Sequence, residues 1–255
     1  MIHSPKYAML YPPLIQRIWD EEAGKKDQEK RVKTRLHQMF GAYVQGNAHK
    51  KAQALLNQLE DKKTIDPAAL LALHASTKER MAYIQDFWEF ILPDGPLSVL
   101  DLGCGFNPFS ILYLKDHIKD QGKITSYHAH DIDIRTQHLL NQFFSWYGLP
   151  TTAACMDLIA TTPTTSVDLT LMCKLLPVLE AQAPGRGFQL ANGLNTTYLV
   201  ITYPLKSLGG RNKGMGTHYR ESFQHALNTG KLSHFSLSKE EEVGDELIYL
   251  LKRIP

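Results

Sequence analysis

Two glycines directly after an apolar segment form the part of this sequence best suited to hold a ligand. Residues 98–102 are mostly apolar and of strand type, Gly103 and Gly105 follow at once, and a helical pattern resumes after Pro108. Glycine lets the backbone turn sharply and leaves room for a ligand to lie against it. Asp101 adds a carboxylate that can accept hydrogen bonds beside the turn. The segment predicts a ligand site on a strand, a tight turn and a helix start.

Several ligands could use such a turn, and a plain turn without a ligand is also possible. The dinucleotide fingerprint needs a third glycine three residues after the second, and Pro108 stands at that position. The order Asp101-x-Gly103-x-Gly105 instead resembles the first motif of the class I methyltransferases. In that family the acidic group and the loop face the methionine end of S-adenosylmethionine.

Strands and helices alternate regularly after this turn. Strand patterns cover seven segments: 98–102, 123–130, 151–156, 167–173, 197–203, 232–238 and 246–252. Strand, helix, strand repeats of this kind give a parallel sheet that is covered on both faces. The last two strands are joined by an acidic turn and should form an antiparallel hairpin at the edge. We therefore predict an α/β fold with a mostly parallel seven-stranded sheet over residues 93–255.

The first 92 residues have a different pattern, which predicts a small helical domain. Helical spacing of apolar residues covers four segments: 14–22, 28–41, 49–59 and 67–92, with a further helix expected over 109–119 after the glycine turn. Residues 1–80 carry 14 Lys and Arg against 9 Asp and Glu, although the net charge of the whole chain is only +2. Such an excess suits a phosphate backbone, but solvated helix faces have the same composition.

Carboxylates end three successive predicted strands. They are Asp101, Asp131 and Asp157. Ligands of open parallel sheets lie beyond the carboxyl ends of the strands, so these side chains should meet at one site. Asp131 is placed to accept hydrogen bonds from ribose hydroxyls, and Asp157 from an adenine amino group, with Leu158 against the ring. Asp131 and Asp157 could instead cap helices, but three acids in this order favour a nucleoside.

A polar group precedes the sheet as well. His74, Ser76 and Arg80 lie within two helical turns and could converge on one polar ligand. The alternative is a capping box, because Ser76 and Glu79 stand three apart just before Met81. Composition alone favours the capping box slightly.

The composition also excludes some classes of protein. No apolar run approaches the roughly 20 residues that span a bilayer, and a signal-peptide core is missing, so we expect a cytoplasmic protein. Cys104, Cys155 and Cys173 lack the spacing and histidine partners of a zinc site. We expect reduced cysteines in the interior and no metal. Since no exposed apolar stripe stands out, we also expect a monomer.

Longer segments resemble one family, the 16S rRNA (guanine-1405-N7) methyltransferases that confer aminoglycoside resistance. The matching segments are 36–43, 73–80, 100–108, 174–177, 194–196, 207–215 and 246–250. They cover nearly the whole chain, and residues 74–80 (HASTKER) and 207–215 (SLGGRNKGM) are the most specific. The resemblance implies a class I (Rossmann-like) methyltransferase fold, S-adenosylmethionine as cofactor and 16S rRNA in the 30S subunit as partner.

The resemblance also implies roles for individual residues. Arg80 would bind the methionine carboxylate, because a guanidinium fits a carboxylate with two parallel hydrogen bonds. The residues implied at the cofactor are Tyr43, His74, Ala75, Ser76, Arg80, Asp101, Gly103, Gly105, Asp131, Asp157, Leu158, Cys173 and Gln182. Phe106 and Asp133 depart from the family pattern, which leaves their contacts open.

Lys174 and a set of basic residues are the candidates for contact with the RNA. Lys174 ends a predicted strand and is expected to hold the extruded guanine or its phosphate; the alternative is an ordinary exposed lysine. The residues expected to bind the RNA backbone are Lys30, Arg31, Lys33, Arg35, Lys206, Arg211 and Lys213.

The expected function is therefore methylation of N7 of guanine 1405 in the 30S subunit. N7 has a free lone pair, so we expect no general base. Two alternatives stay open. A small-molecule methyltransferase would place an apolar cover over the pocket instead of basic helices, and a ribosome-binding assembly factor would bind without catalysis.

Overall fold

Seven strands form one sheet, as the sequence predicted. The computed structural model describes residues 4–44, 46–62, 66–114, 124–206 and 215–254. The strands are β1 (Leu97–Leu102), β2 (Ile124–Asp131), β3 (Thr151–Cys155), β4 (Ser166–Cys173), β5 (Asn195–Pro204), β6 (Phe235–Val243) and β7 (Glu246–Arg253). Their order in the sheet is β3-β2-β1-β4-β5-β7-β6.

The order of the strands creates a crevice beside β1. Strands β1 to β5 are parallel, whereas β7 runs antiparallel to both β5 and β6. Because β1 pairs with β2 on one side and with β4 on the other, the winding of the chain reverses there. Ligands of open α/β sheets bind at such a switch point, beyond the carboxyl ends of the strands.

Helices precede and cover the sheet. They are α1 (Pro12–Glu21), α2 (Gln28–Leu36), α3 (Ala48–Lys62), α4 (Pro67–Leu71), α5 (Ala75–Arg80), α6 (Ile84–Ile91), α7 (Ile134–Tyr147), α8 (Leu176–Gln182), α9 (Arg186–Gly193) and α10 (Met215–Asn228). Within the described ranges, no helix has both the length and the apolar character needed to cross a membrane.

The two faces of the sheet carry separate cores. Successive side chains of a strand point to opposite faces, so Val99 belongs to one core and Leu100 to the other. The first core contains aromatic side chains of α6, of α7 and of the segment after the glycine turn, and the second is built with α8, α9 and α10. The result is a sheet between two helical layers.

Helices α1 and α2 form a third apolar cluster next to the end of β2. Leu14 and Ile18 of α1 pack with Val32 and Leu36 of α2 in this cluster. The backbone N–H of Tyr11 donates to the carbonyl of Ile132 over 2.8 Å, directly after β2. The beginning of the chain is therefore attached to the edge at which the ligand site was predicted.

The helix predicted over residues 67–92 is interrupted, and His74 is the reason. Its backbone is extended, with φ −122° and ψ 130°, and it forms an antiparallel bridge with Val44. The N–H of Ala75 donates to the carbonyl of Tyr43 over 2.9 Å. Because this pairing takes the chain out of the helix, the segment divides into α4, α5, a 3-10 turn over Met81–Tyr83, and α6.

Two other predicted helices also differ. The helix predicted over 28–41 ends at Leu36 and continues as a π-helical turn, His37–Gly41. After the glycine turn the chain forms a buried 3-10 segment, Asn107–Leu114, instead of an α-helix. The end of that prediction, residues 115–119, lies outside the described residues.

One buried hydrogen bond joins α6 to the segment after the glycine turn and gives a test of this packing. Nε1 of Trp88 donates to Oγ of Ser110 over 3.0 Å, and both residues are fully buried. Ser110→Ala leaves the indole N–H without its acceptor and should lower the free energy of unfolding by about 1–3 kcal/mol. Urea unfolding checks this, with the exposed Ser236→Ala as control. Equal stability of the two variants would contradict the packing.

Candidate active site

A cavity lies at the carboxyl ends of β1, β2 and β4. Many of the predicted cofactor residues line it, namely Tyr43, His74, Ser76, Arg80, Gly103, Gly105, Asp131, Asp157, Leu158 and Cys173, together with Lys174. The structure thus brings together side chains that are far apart in the sequence.

Three predicted cofactor residues do not line the cavity. Ala75 lies beside it and bonds through its N–H to Tyr43. Asp101 is fully buried behind the glycine turn, where Oδ2 accepts hydrogen bonds from Asn107 and Tyr127. Gln182 accepts a hydrogen bond from Nε of Arg35 over 2.9 Å. Ala75 and Asp101 thus bond to Tyr43 and Asn107, which line the cavity.

The glycine turn has a backbone conformation in which a residue other than glycine would be strained. Gly103 and Gly105 have φ values of +62° and +48°. A Cβ on Gly103 would lie 2.8 Å from Cδ1 of Leu175, and a Cβ on Gly105 would lie 2.6 Å from Nε2 of His74. Both positions therefore need glycine for conformation and for space.

Asp131 is fixed at the end of β2. One carboxylate oxygen accepts the N–H of Gly105 over 2.8 Å, and the other accepts the N–H groups of Ile132 and Asp133. Burial raises the pKa of Asp131 above its ordinary value. The carboxylate bridges the glycine turn and the loop after β2, and it lines the cavity from this fixed position.

His74 combines an aromatic setting with an unused polar atom. Its ring is stacked on Tyr43, with centroids 6.0 Å apart, and lies 5.7 Å from the ring of Phe106. Burial lowers the pKa of His74 to about 3, so the ring is neutral at physiological pH. Among the described residues, nothing bonds to its buried Nδ1. Buried polar atoms are normally paired, and a ligand in the cavity would supply the missing partner.

The capping box considered for this segment is not formed. The N-cap of α5 is His74, which makes no side-chain capping bond, and Ser76 lies inside the helix and lines the cavity. Glu79 pairs instead with Nζ of Lys174 over 2.7 Å. On α5, Ser76 therefore lines the cavity, and Glu79 holds Lys174, which also lines it.

Arg80 is the centre of a buried polar chain. Its guanidinium donates to both carboxylate oxygens of Glu246, over 2.9 and 2.8 Å, and to Oδ1 of Asn107 over 2.8 Å. Asn107 in turn donates to Asp101 over 2.8 Å. Arg80 and Glu246 are both fully buried. The chain links α5, the glycine turn and the start of β7.

Lys174 is buried and ion-paired, so the alternative of an ordinary exposed lysine is wrong. Its Nζ lies 2.7 Å from Glu79 and 3.3 Å from Glu246, and its side chain is 7% exposed. Its backbone has φ +54°, a left-handed conformation that is costly for a residue other than glycine. The surrounding contacts hold Lys174 at the end of β4 in this strained conformation.

Sequence reasoning missed two charged residues of the site. Glu246 stands at the start of an apolar strand, directly after an acidic turn, so its burial had no local signal. Arg17 donates to both carboxylate oxygens of Asp157, and nothing in its own segment pointed to this contact. Apolar residues from the N-terminal part were missed as well: Leu14, Met39, Phe40 and Val44 line the cavity.

Most of the predicted RNA-binding side chains of α2 are ion-paired. Lys33 lies 2.6 Å from Glu29, and Arg31 pairs with Glu22. These two side chains are 40% and 52% exposed. Lys30 is exposed on the same helix.

Arg35 and the loop after β5 differ from these residues. Arg35 is only 17% exposed and pairs with Glu21 and Glu22, so its guanidinium belongs to the interior contacts of this region. Lys206 is exposed and lies 2.6 Å from Asp245. The predictions for Arg211 and Lys213 lie outside the described residues.

Comparison with known proteins assigns the family. A model of the family described as ribosomal RNA methyltransferase (FmrO) matches residues 3–250, nearly the whole chain. The chain belongs to this family. This FmrO-family member is 34% identical to a 16S rRNA (guanine(1405)-N(7))-methyltransferase of Serratia marcescens, over 99% of the chain and 96% of that relative. The family expected from the sequence is confirmed.

Solved structures agree with the fold of this FmrO-family chain. The 16S rRNA methyltransferase RmtF in complex with S-adenosyl-L-homocysteine superposes with a TM-score of 0.85 at 34% identity, covering 97% of this chain and 93% of RmtF. The 16S rRNA methylase RmtB gives a TM-score of 0.80 at 31% identity, covering 98% and 94%. The predicted class I methyltransferase fold is thereby confirmed.

The buried charge of Glu246 should matter strongly for stability. Glu246→Gln keeps the shape of the side chain but leaves Arg80 and Lys174 without their shared negative partner. Breaking such a pair should lower the free energy of unfolding by about 3–5 kcal/mol. Chemical unfolding measures this loss of stability. The control is Glu242→Gln, whose exposed pair with Arg220 should contribute less than about 1 kcal/mol. A similarly small loss for Glu246→Gln would show that the buried chain is not formed.

Asp101 predicts a specific dependence of stability on pH. Burial raises its pKa from 3.8 to about 6, so the native state holds this proton more tightly than the unfolded state does. Stability from this group is therefore greatest below pH 4 and falls as pH rises to about 6, by about 3 kcal/mol in total. Urea unfolding of wild type and Asp101→Asn across this range should show a difference that changes with pH.

A control separates this effect from general titration. Asp94 is exposed, and Asp94→Asn, which removes a carboxylate from the surface, is the control variant. If the unfolding free energies of Asp101→Asn run parallel to those of wild type at every pH, burial does not alter the ionisation of Asp101 in the folded protein.

Proposed function

We propose that this protein transfers a methyl group from S-adenosylmethionine to N7 of guanine 1405 of 16S rRNA. The observation that supports the proposal is the cavity at the switch point of the sheet, with two glycines of positive φ and Asp131 at its wall. The relative from Serratia marcescens is named for this activity, and RmtF is similar over 97% of this chain. On these grounds the sequence resemblance also predicts aminoglycoside resistance for cells that carry the protein.

The residues present fit an adenosyl cofactor. His74 lines the cavity, and its unpartnered Nδ1 is a buried polar atom with which a ligand would pair. Arg80 would bind the methionine carboxylate, Asp131 the ribose, and Asp157 the adenine amino group. The guanidinium of Arg80 has five N–H donors, and three of them bond to Glu246 and Asn107, which leaves donors for a ligand.

Bound S-adenosylmethionine supplies an electrophilic methyl group on a sulfonium ion. N7 of neutral guanine has a lone pair, so the attack needs no proton removal, and no side chain has to act as a base. The task of the protein is to orient the guanine and to exclude water. Positioning of two reactants can lower the activation free energy by about 7–11 kcal/mol. Extrusion of the base from its helix costs a few kcal/mol.

Lys174 is the residue proposed to hold the guanine or its phosphate. It lines the cavity at the end of β4, and its two carboxylate partners keep the ammonium in place. A guanine that enters the site would replace one of these partners and receive a hydrogen bond from Nζ.

Cations on both parts of the chain are proposed to bind the rRNA backbone. On α2 these are Lys30, Arg31 and Lys33, and after β5 they are Lys206, Arg211 and Lys213. Because Arg35 is bound to Glu21 and Glu22, we assign it to the internal contacts of α1 and α2. We propose that residues 1–92 form the RNA-binding domain and residues 93–255 the methyltransferase domain of a cytoplasmic monomer acting on the 30S subunit.

One observation favours a second candidate, a small-molecule methyltransferase. That reading predicts an apolar cover from the N-terminal region, and Leu14, Met39, Phe40 and Val44 do line the cavity. The same region presents exposed cations on α2, which a small substrate would not require. The two candidate functions therefore differ in their substrate, which is a large RNA in the first and a small molecule in the second.

Transfer of label from S-adenosylmethionine separates these functions. The protein is incubated with radiolabelled cofactor and with 30S subunits, naked 16S rRNA or a metabolite extract. We expect label in 30S subunits, and none in subunits already methylated at guanine 1405. Label in the extract would support the small-molecule function, and cofactor binding without any transfer would support the assembly factor.

Lys174→Ala tests the guanine-binding role. It should lower the rate of 30S methylation by at least about tenfold, because a charge-assisted hydrogen bond contributes about 1.5–3 kcal/mol, while calorimetry shows cofactor affinity within about twofold of wild type. Lys78→Ala is the control, an exposed lysine on α5. An unchanged rate for Lys174→Ala would remove Lys174 from the site.

A further inference from the structure

We propose that Arg17 is a positioning residue that fixes the Asp157 carboxylate for recognition of the adenine amino group. The inference rests on the proposed function, since it assumes that Asp157 faces the base of the cofactor. By this inference, the first described helix, α1, contributes to the specificity for the adenine base of the cofactor. No feature of the Arg17 segment alone indicated this.

The contact between the two side chains has the geometry of a clamp. Nε of Arg17 donates to Oδ2 of Asp157 over 2.6 Å, and NH2 donates to Oδ1 over 3.1 Å. Asp157 is 4% exposed and Arg17 is 17% exposed. Two parallel hydrogen bonds to a planar guanidinium fix the rotation of the carboxylate. Lysine would give a point charge and could not fix this plane.

The hydrogen bonds leave one oxygen of Asp157 open to a ligand. Oδ1 already accepts two donors, from Arg17 and from the N–H of Ile159 over 3.1 Å. Oδ2 accepts only the Nε of Arg17 among the described residues. A carboxylate has about four acceptor positions, two on each oxygen. The remaining position on Oδ2 is therefore the place where an amino group of a base can donate.

Arg17 is itself held in place by a series of ion pairs. Its NH1 lies 2.7 Å from Glu21, the other oxygen of Glu21 lies 2.7 Å from Arg35, and Arg35 donates to Gln182 of α8 over 2.9 Å. Leu14, one turn before Arg17 on α1, lines the cavity. Helix α1 therefore contributes an apolar wall and a fixed polar group to the same end of the cavity.

A fixed carboxylate discriminates between purines. It accepts a hydrogen bond from the 6-amino group of adenine, but it meets the 6-keto oxygen of hypoxanthine with repulsion. A site that bonds one substituent rejects an analogue lacking it, because a buried polar group is left unpaired. The expected preference, from charge-assisted hydrogen bonds, is about 10- to 100-fold. If Arg17 fixes Asp157, this preference depends on Arg17.

The test compares two ligands that differ at C6 of the purine and at the neighbouring N1, which carries a hydrogen in hypoxanthine and none in adenine. Calorimetry gives the dissociation constants of S-adenosylhomocysteine and S-inosylhomocysteine for wild type, Arg17→Met and Arg17→Lys. We expect Arg17→Met to weaken the adenosyl ligand by about tenfold and the inosyl ligand by less than about threefold, so the preference falls. For Arg17→Lys the preference should lie between those of wild type and Arg17→Met, because lysine keeps the positive charge but cannot form the two parallel hydrogen bonds of the guanidinium. Thermal unfolding confirms that each variant is folded at the titration temperature.

A matched control addresses a merely structural role. Arg186 holds the same loop, because it donates to the carbonyl of Ile159 over 2.7 Å and to Thr162, but it does not touch Asp157. Arg186→Met should change the affinities for both ligands by the same factor. If Arg17→Met behaves in this way too, Arg17 only supports the loop and the inference fails.

The remaining outcomes separate this inference from the proposed function. If wild type binds neither ligand, the proposed function is contradicted. If wild type binds both equally well, or if Arg17→Met leaves both affinities unchanged, the methyltransferase function stands and the role of Arg17 is overturned.

Discussion

The buried ion pair between Arg80 and Glu246 connects the helical beginning of the chain to its last strand. Both side chains are fully withdrawn from water, and each would be costly to bury alone. Together with Asn107 and Lys174 they neutralise one another around the end of the glycine turn. The positions of α5, of the turn and of β7 are thus interdependent. Any ligand held by Arg80 is held by a guanidinium whose plane Glu246 has already fixed.

This arrangement makes the N-terminal helices part of the candidate cofactor site. Arg80 comes from α5, His74 from the break before it, and Leu14 and Arg17 from α1. The region with the basic surplus therefore lines part of the cavity and also presents exposed cations on α2. Contact of α2 with RNA and binding of the cofactor would then depend on the same helices.

The sequence predicted what local patterns encode. The strand and the turn around Gly103 and the hairpin that ends in β7 follow from short-range periodicity and glycine positions. The extended break at His74 was missed, because its cause is a bridge to Val44 rather than a feature of its own segment. The pairs Arg80–Glu246 and Arg17–Asp157 join residues 166 and 140 positions apart. Hydrophobic periodicity contains no information about such pairs. The burial of Lys174 could not be predicted either, because its ammonium pairs with the distant Glu246.

A double-mutant cycle on Arg80 and Glu246, with the affinity for S-adenosylhomocysteine as readout, tests this account most directly. Calorimetry on wild type, Arg80→Gln, Glu246→Gln and the double variant provides the four dissociation constants. If Glu246 acts through Arg80, each single substitution weakens binding and the second adds little, with a coupling free energy of about 1–3 kcal/mol. If the two effects simply multiply, Arg80 and Glu246 act independently and the account is contradicted.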